Sequence, residues 1–294
     1  MKNYNKFEIW VLASRPKTLF AAFVPVIVGT SIANAEGEIN LLASVVALVC
    51  SILIQIGTNF SNDLQDFIRG ADSKERVGPL RVINEGLITT SQMKTAIFIV
   101  FFTAFMLGLY LIYLGGVVIL IIGILSILAG LAYTSGPYPL AYHGLGDFAA
   151  FIFFGLIGTI GTYYLNTGEF STISLIASIP VGALVTNILV VNNYRDLEQD
   201  KRAGKNTLAV KLGKTFSRYE FIILMTASFI VPLIIFLSYD VKGWVFLPYL
   251  TLPIAYKLIL MMFKLTGPQL NKTLELTAKF SAIFGLLFSL GFLL

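Results

Sequence analysis

Residues suited to chemistry gather in two stretches of this chain. The first, Asn59 to Asp72, reads N-F-S-N-D-L-Q-D-F-I-R-G-A-D and follows a long apolar run. At 3.6 residues per turn, Asn59, Asn62, Asp63 and Asp66 share one helix face. Carboxylates on one face repel each other unless a positive group lies between them. A hard divalent cation such as Mg²⁺ meets that need, held by one or two carboxylates and completed by water and phosphate oxygens. A single D-x-x-D is better read as a solvated acidic helix end, but a second copy weighs against that. Residues 192–207 read N-N-Y-R-D-L-E-Q-D-K-R-A-G-K-N-T, with Asn192, Asp196 and Asp200 spaced i, i+4, i+8 on one face. Counting Glu75 and Glu198, the two stretches hold seven of the 16 acids.

The elements that must position these residues are membrane helices. Of 294 residues, 56% are hydrophobic and only 13% charged, with a mean hydropathy of +0.82. A soluble domain is about 25% charged, so the composition indicates an integral membrane protein. A bilayer core of about 30 Å needs roughly 20 apolar residues in a helix. Nine such runs occur, near 18–35, 41–60, 95–113, 116–133, 148–166, 173–193, 219–238, 244–263 and 275–293. The expected fold is therefore all-α, a bundle of nine transmembrane helices forming one domain over 1–294. Ser14 is placed to cap the first span and Pro16 to occupy its first turn. Residues 5–13 before it read as a short interfacial helix with Trp10 at headgroup level.

Basic residues set the orientation. With the N-terminus inside, the inner segments hold eighteen of the 21 Lys and Arg, and the outer loops keep only Lys242. That bias satisfies the positive-inside rule, so both acidic motifs face the cytoplasm across the cell membrane. It also accounts for the net charge of +5 without nucleic-acid binding. Four spans separate the motifs, which suggests a parallel repeat of four-helix units. In each half a helix is expected to end in an Asn/Asp cluster followed by a basic, Gly-containing loop of about 25–30 residues, a length usually tied to function. The first motif covers 59–81 and the second 192–207. Cys50, the sole cysteine, excludes an intramolecular disulfide. The start, M-K-N-Y-N-K-F-E-I-W, has no short apolar core ending in small residues and so reads as no cleavable signal.

The two motifs, with the nine-span pattern, resemble the UbiA superfamily of intramembrane prenyltransferases. Within it the chain is most similar to the 1,4-dihydroxy-2-naphthoate polyprenyltransferases of menaquinone synthesis. The resemblance rests on R-P-K-T-L from Arg15, G-P-L-R from Gly78, A-Y-T-S-G-P from Ala132, L-A-Y-H-G-L-G-D from Leu140, and the stretch from Asn192 to Val210. It thins after about residue 215. Two departures stand out from the commonest superfamily pattern, N-D-x-x-D-x-x-x-D and Tyr-x-x-x-Lys. Gly70 takes the place of the last aspartate, with Asp72 two residues later, and Tyr133 is followed four residues on by Pro137 instead of lysine. Both variants fit the naphthoate branch.

The resemblance implies transfer of a prenyl group from a polyprenyl diphosphate to an aromatic acceptor at the bilayer, with two Mg²⁺ ions bridging the diphosphate. Asp63, Asp66 and Asp72 would hold one ion, and Asp196 and Asp200 the other. Asn62 and Asn192 or Asn193 would reach metal-bound water or phosphate oxygens. Arginine suits bidentate phosphate contacts, which nominates Arg76, Arg81 and Arg195, joined by Arg69, Lys74, Lys201 and Lys205. Tyr133 would stabilise an allylic cation through its ring, or serve only as an interfacial anchor. Arg15 or Lys17 would pair with an acceptor carboxylate, and Asp147 would have a catalytic or shielding part.

Other features carry less. His143, the single histidine, makes a zinc site improbable. Gly155, Gly158 and Gly161 read as close helix packing. An ion-coupled transporter is the main reading from another class, but its carboxylates belong at the midplane, not at one face. Other superfamily acceptors (4-hydroxybenzoate, haem, chlorophyllide, a glycerol lipid) stay open. A CDP-alcohol enzyme would need D-G-x-x-A-R, which is absent. Prenyl chain length and oligomeric state leave no trace in the sequence.

Overall fold

The computed structural model describes residues 4–70, 78 and 80–294. Every regular element among them is helical: α1 (Lys6–Ser14), α2 (Phe20–Ala35), α3 (Leu41–Ile68), α4 (Thr90–Ala132), α5 (Gly146–Ala150), α6 (Gly158–Thr167), α7 (Thr172–Arg202), α8 (Leu208–Ser238), α9 (Leu252–Lys264) and α10 (Leu270–Leu293). A π-helical segment, Phe151–Ile157, joins α5 to α6, and a 3-10 segment, Gly243–Thr251, leads into α9. Side chains at the starts satisfy otherwise orphaned backbone donors. Asn40 accepts from the Ala43 amide, Ser171 from Ser174 and Thr207 from Val210, while Thr89 and Gln92 form a capping box.

Among the described residues seven helices are long and apolar enough to cross a bilayer. Helix α4, with 43 residues, would be about 65 Å long if straight, twice a bilayer core. It breaks at Gly116 (φ 62°, ψ −149°) and so supplies two spans. Helix α2 has 16 residues and meets the Lys6–Thr18 segment at a 53° bend. With these, the described residues provide the nine spans that the apolar runs predict.

Helix α7 is the axis of the bundle. The apolar window of α7 is 78% buried, against 11% for α4, so α7 faces protein and α4 largely faces lipid. Around α7 the core includes Val28 and Ile32 of α2, Phe221 and Met225 of α8, and Phe280, Phe284 and Phe288 of α10. Close backbone approach tightens this packing. A Cβ on Gly155 would meet Gly182 Cα of α7 at 2.5 Å, and one on Gly158 would meet Pro25 Cβ at 2.9 Å. Gly161 has more room, its nearest neighbour being the tip of Ile122 at 3.3 Å.

Two local expectations need correction. Ser14 does not cap the first span: its hydroxyl donates to the Val11 carbonyl at 2.8 Å, within α1. Arg15 instead ends α1 in the left-handed conformation, and Pro16 opens a separate 3-10 turn, Pro16–Thr18. Nor is the second motif followed by a long loop. Helix α7 runs through Asp196 and Asp200 to Arg202, and only residues 203–207 connect it to α8. Polar helix formers continue the hydrogen-bond ladder beyond the apolar run, and Gly204 (φ 70°) stops it.

Candidate active site

Both acidic motifs lie at the C-terminal ends of long helices, α3 and α7. Helix α3 continues past its apolar run, so Asn59, Asp63 and Asp66 are carried inward and buried at 3–4% exposure. Chain that follows folds back onto the same helix. Val82 and Ile83 are buried against Phe60, Leu64 and Met93, which fixes the neighbouring Arg81 beside the acidic face. Arg81 Nη2 lies 2.8 Å from Asp66 Oδ2, and Nη1 lies 3.6 Å from Asp63 Oδ1. The other Asp66 oxygen accepts a 2.9 Å hydrogen bond from the Tyr142 hydroxyl. Burial and then the Asp66 charge raise the Tyr142 phenol above its ordinary range, so it stays protonated and donates.

The second cluster is organised differently. Arg195 donates from Nε and Nη2 to the two oxygens of its neighbour Asp196, at 2.7 and 2.6 Å. The same guanidinium reaches Asn192 Oδ1 and, on α10, Asn271 Oδ1, each at 2.8 Å. Lys205 Nζ lies 3.8 Å from Asp200 Oδ1 and 5.6 Å from the centre of the Tyr142 ring. Arg69 sits over that ring at 4.8 Å and donates to the Gly136 carbonyl. Tyr142 thus touches side chains from both clusters.

The 133–147 segment brings these groups together. The Ala141 amide donates to the Tyr133 carbonyl at 2.9 Å, which folds the segment into a closed turn under the site. Thr134 Oγ1 donates to Asn62 Oδ1 at 2.8 Å. Gly146 lies beside the Tyr133 hydroxyl, where a Cβ would approach to 3.1 Å. Asp147 is buried, with Asn193 Nδ2 at 3.5 Å from its Oδ2. The His143 Nδ1 pairs with the Pro139 carbonyl at 2.8 Å and its ring stacks on Tyr138, a structural arrangement.

A cavity of about 360 Å³ opens between α2, α3, α4, the π segment and α7. Its polar end is formed by Arg15, Asn62, Asp66, Arg81, Tyr133, Asn192, Asn193 and Lys205. Away from them the wall is largely apolar, passing Cys50, Ile54, Phe153 and Ile127 to Leu111 and Leu165, with Gln55 and a few hydroxyls interspersed. A polyanionic head with a long hydrocarbon tail matches that division. Lys17 does not line the cavity; its side chain is 71% exposed and pairs with Glu275 at 2.6 Å. Lys201 is likewise exposed and outside the cavity lining. Asp72, Lys74 and Arg76 lie outside the described residues.

Among the described residues no three carboxylates, histidines or cysteines are close enough to hold an ion by themselves. The hard oxygen donors of the two clusters are Asp63, Asp66 and Asn62 on α3 and Asn192, Asp196 and Asp200 on α7, and the charges of Asp66 and Asp200 both act on Tyr142. Such a set suits Mg²⁺, which takes one or two carboxylates and completes its shell with water and substrate phosphates.

Residues 22–283 match the UbiA prenyltransferase family. The chain belongs to that family. It is 35% identical to the 1,4-dihydroxy-2-naphthoate octaprenyltransferase of Haemophilus influenzae, over 99% of this chain and 97% of the relative. Identity is also 35% with the enzyme of the same name from Escherichia coli, over 99% and 96%. The fold is that of a UbiA homologue from Archaeoglobus fulgidus solved with DMAPP and Mg²⁺, at a TM-score of 0.64 and 15% identity, covering 95% of this chain and 99% of that one.

Within this UbiA chain, Tyr142, Thr134 and Asn271 are site residues that motif reasoning passed over. Tyr142 stood inside the stretch from Leu140 that carried the family resemblance, so a signal existed. Asn271 follows a span with no polar pattern, and only packing of α10 against α7 brings it to Arg195.

Proposed function

We propose that this UbiA-family chain transfers a polyprenyl group from a polyprenyl diphosphate to 1,4-dihydroxy-2-naphthoate, with loss of carbon dioxide, giving a demethylmenaquinol. The observation that carries the reading is one cavity with residues of both motifs at one end, Asn62 and Asp66 of the first and Asn192, Asn193 and Lys205 of the second, and a largely apolar wall along the rest. Full-length similarity to two naphthoate octaprenyltransferases supports the choice of acceptor.

In this reading the diphosphate lies between α3 and α7. Arg81, Arg195 and Lys205 contact its oxygens, with Arg69 beside them and Lys201 further out, and Lys74 and Arg76 are assigned the same role from the sequence alone. Asn62, Asn192 and Asn193 complete the polar contacts. Asp63, Asp66 and Asp72 would hold one Mg²⁺ ion and Asp196 and Asp200 a second, and the bound ions would supply Lewis-acid charge to the leaving group. The allylic C–O bond breaks and its electron pair leaves with the diphosphate. The ring carbon bearing the carboxylate forms the new C–C bond, and the carboxylate departs as carbon dioxide, returning its bonding electrons to the ring. Tyr133 presents an aromatic ring near the reacting carbon, and Asp147 and Asn193 close the site behind it against water. Arg15 faces the cavity and is the acceptor cation of choice over Lys17, which points away.

The protein is a multi-pass membrane protein. We place its active site at the cytoplasmic face of the cell membrane with the N-terminus inside, because the basic residues gather at that end. Purified protein with Mg²⁺, a prenyl diphosphate and a panel of acceptors, read by mass spectrometry, tests the activity. Prenylated, decarboxylated naphthoate is expected. A product keeping the carboxyl of 4-hydroxybenzoate would move the chain to another branch of the superfamily.

A further inference from the structure

Arg15 is the only non-glycine residue with positive φ among the described residues (φ 51°, ψ 68°). The conformation is unfavourable for a residue with a Cβ, and Pro16 immediately after it adds a further restriction. Such a geometry persists only where surrounding contacts over-determine it. Here they come from α3. Asn59 Nδ2 donates to the Ser14 carbonyl at 2.9 Å and to Thr18 Oγ1 at 3.0 Å, one contact on each side of Arg15. Thr18 Oγ1 in turn donates to the Arg15 carbonyl at 2.9 Å. Asn59 is itself 3% exposed, so its amide is committed to this turn.

The held turn directs the Arg15 side chain into the cavity that also contains Tyr133 and Asp66. Its Nη2 is buried and has no hydrogen-bond partner. A buried guanidinium nitrogen without a partner is unfavourable in the free protein and signals an anionic ligand. The two buried arginines Arg81 and Arg195 already hold carboxylates, Arg81 that of Asp66 and Arg195 that of Asp196. Arg15 therefore offers a cation separate from those that face the diphosphate.

We propose that Asn59 is a positioning residue: by pinning Ser14 and Thr18 it holds the strained Arg15 turn, and Arg15 thereby docks the carboxylate of the acceptor. The inference rests on the acceptor reading given above. It assigns the first asparagine of the α3 motif to acceptor recognition, in contrast to Asn62, Asp63 and Asp66 on the same face.

Steady-state kinetics on the full chain tests this. Asn59→Ala and Arg15→Ala should each raise the acceptor KM by about tenfold, consistent with loss of a charge-assisted contact, with the prenyl diphosphate KM unchanged. The double variant should be no worse than Arg15→Ala alone, because both remove one contact. Thr18→Val, which removes one Asn59 bond and the Thr18 bond to the Arg15 carbonyl but leaves Asn59 on the Ser14 carbonyl, should move the acceptor KM the same way. With 1,4-dihydroxynaphthalene, which lacks the carboxylate, the variants should match wild type. A rise in the diphosphate KM, or an equal penalty with the carboxyl-free acceptor, overturns the proposal. If wild type prefers 4-hydroxybenzoate, the naphthoate reading fails while the same comparison still judges Asn59 and Arg15 on that carboxylate. A wild type that uses only carboxyl-free acceptors overturns both.

Discussion

Arg81 Nη2 lies 2.8 Å from Asp66 Oδ2, both side chains buried, so the arginine that ends the first motif neutralises the motif's own carboxylate. Arg195 does the same for Asp196 in the second motif. Each acidic cluster thus carries its counter-charge in the fold before any substrate arrives. A buried pair of this kind loses more when one partner is removed than its net contribution, since the other charge is left uncompensated.

Asp66→Asn and Asp196→Asn should each lower turnover by about 100-fold or more, because each removes a ligand and a compensating charge at a preorganised site. Raising Mg²⁺ should recover only part of the loss. Product formation under limiting Mg²⁺, with thermal unfolding in detergent as the control for folding, makes the measurement. Near-normal turnover in either variant would sink the two-cluster site. Asp147→Asn should lose less than both.

Tyr142→Phe removes the 2.9 Å hydrogen bond to Asp66 and leaves the ring under Arg69 and Lys205. Loss of one hydrogen bond to a charged acceptor is worth about 1.5–3 kcal/mol. Turnover should therefore fall roughly 10- to 100-fold, with a higher Mg²⁺ requirement. An unchanged Mg²⁺ titration would show that Asp66 needs no help from Tyr142.

Gly155→Ala should destabilise the bundle by about 1–3 kcal/mol through overpacking against Gly182. Gly161→Ala should cost less, since only a flexible Ile122 tip stands in the way. Thermal unfolding of the two variants in the same detergent gives the comparison, and an equal or reversed order would contradict the α7 contact.

Single cysteines placed in a Cys50→Ser background report the orientation. A cysteine at Lys201 should react with an impermeant thiol reagent only from the cytoplasm, and one at Glu169 only from outside. The reverse pattern would turn the site to the outer face and overthrow the positive-inside argument.

How much of this was legible in the sequence follows from the reach of each signal. Apolar runs fix membrane helices because the bilayer core demands continuous hydrophobic length and internal backbone hydrogen bonding. Even the division of α4 at Gly116 falls at the start of the run 116–133, just past the run 95–113. The paired Asn/Asp motifs were legible because their spacing, i, i+3, i+4, i+7 in the first and i, i+4, i+8 in the second, puts each on one helix face whatever the fold. Where α7 stops was not legible, since polar residues beyond an apolar run continue a helix or leave it with equal ease, and a single Gly204 decides. Tertiary structure alone brought Tyr142 to Asp66, Asn271 to Arg195 and Asn59 to Ser14 and Thr18, because these pairs join residues 76, 76, 45 and 41 positions apart. It also separated Arg15 from Lys17, neighbours in one motif that the left-handed turn sends to opposite destinations: the cavity for Arg15, and Glu275 at the surface for Lys17. Periodicity assigns a residue to a face of its own helix, and only packing decides what that face meets.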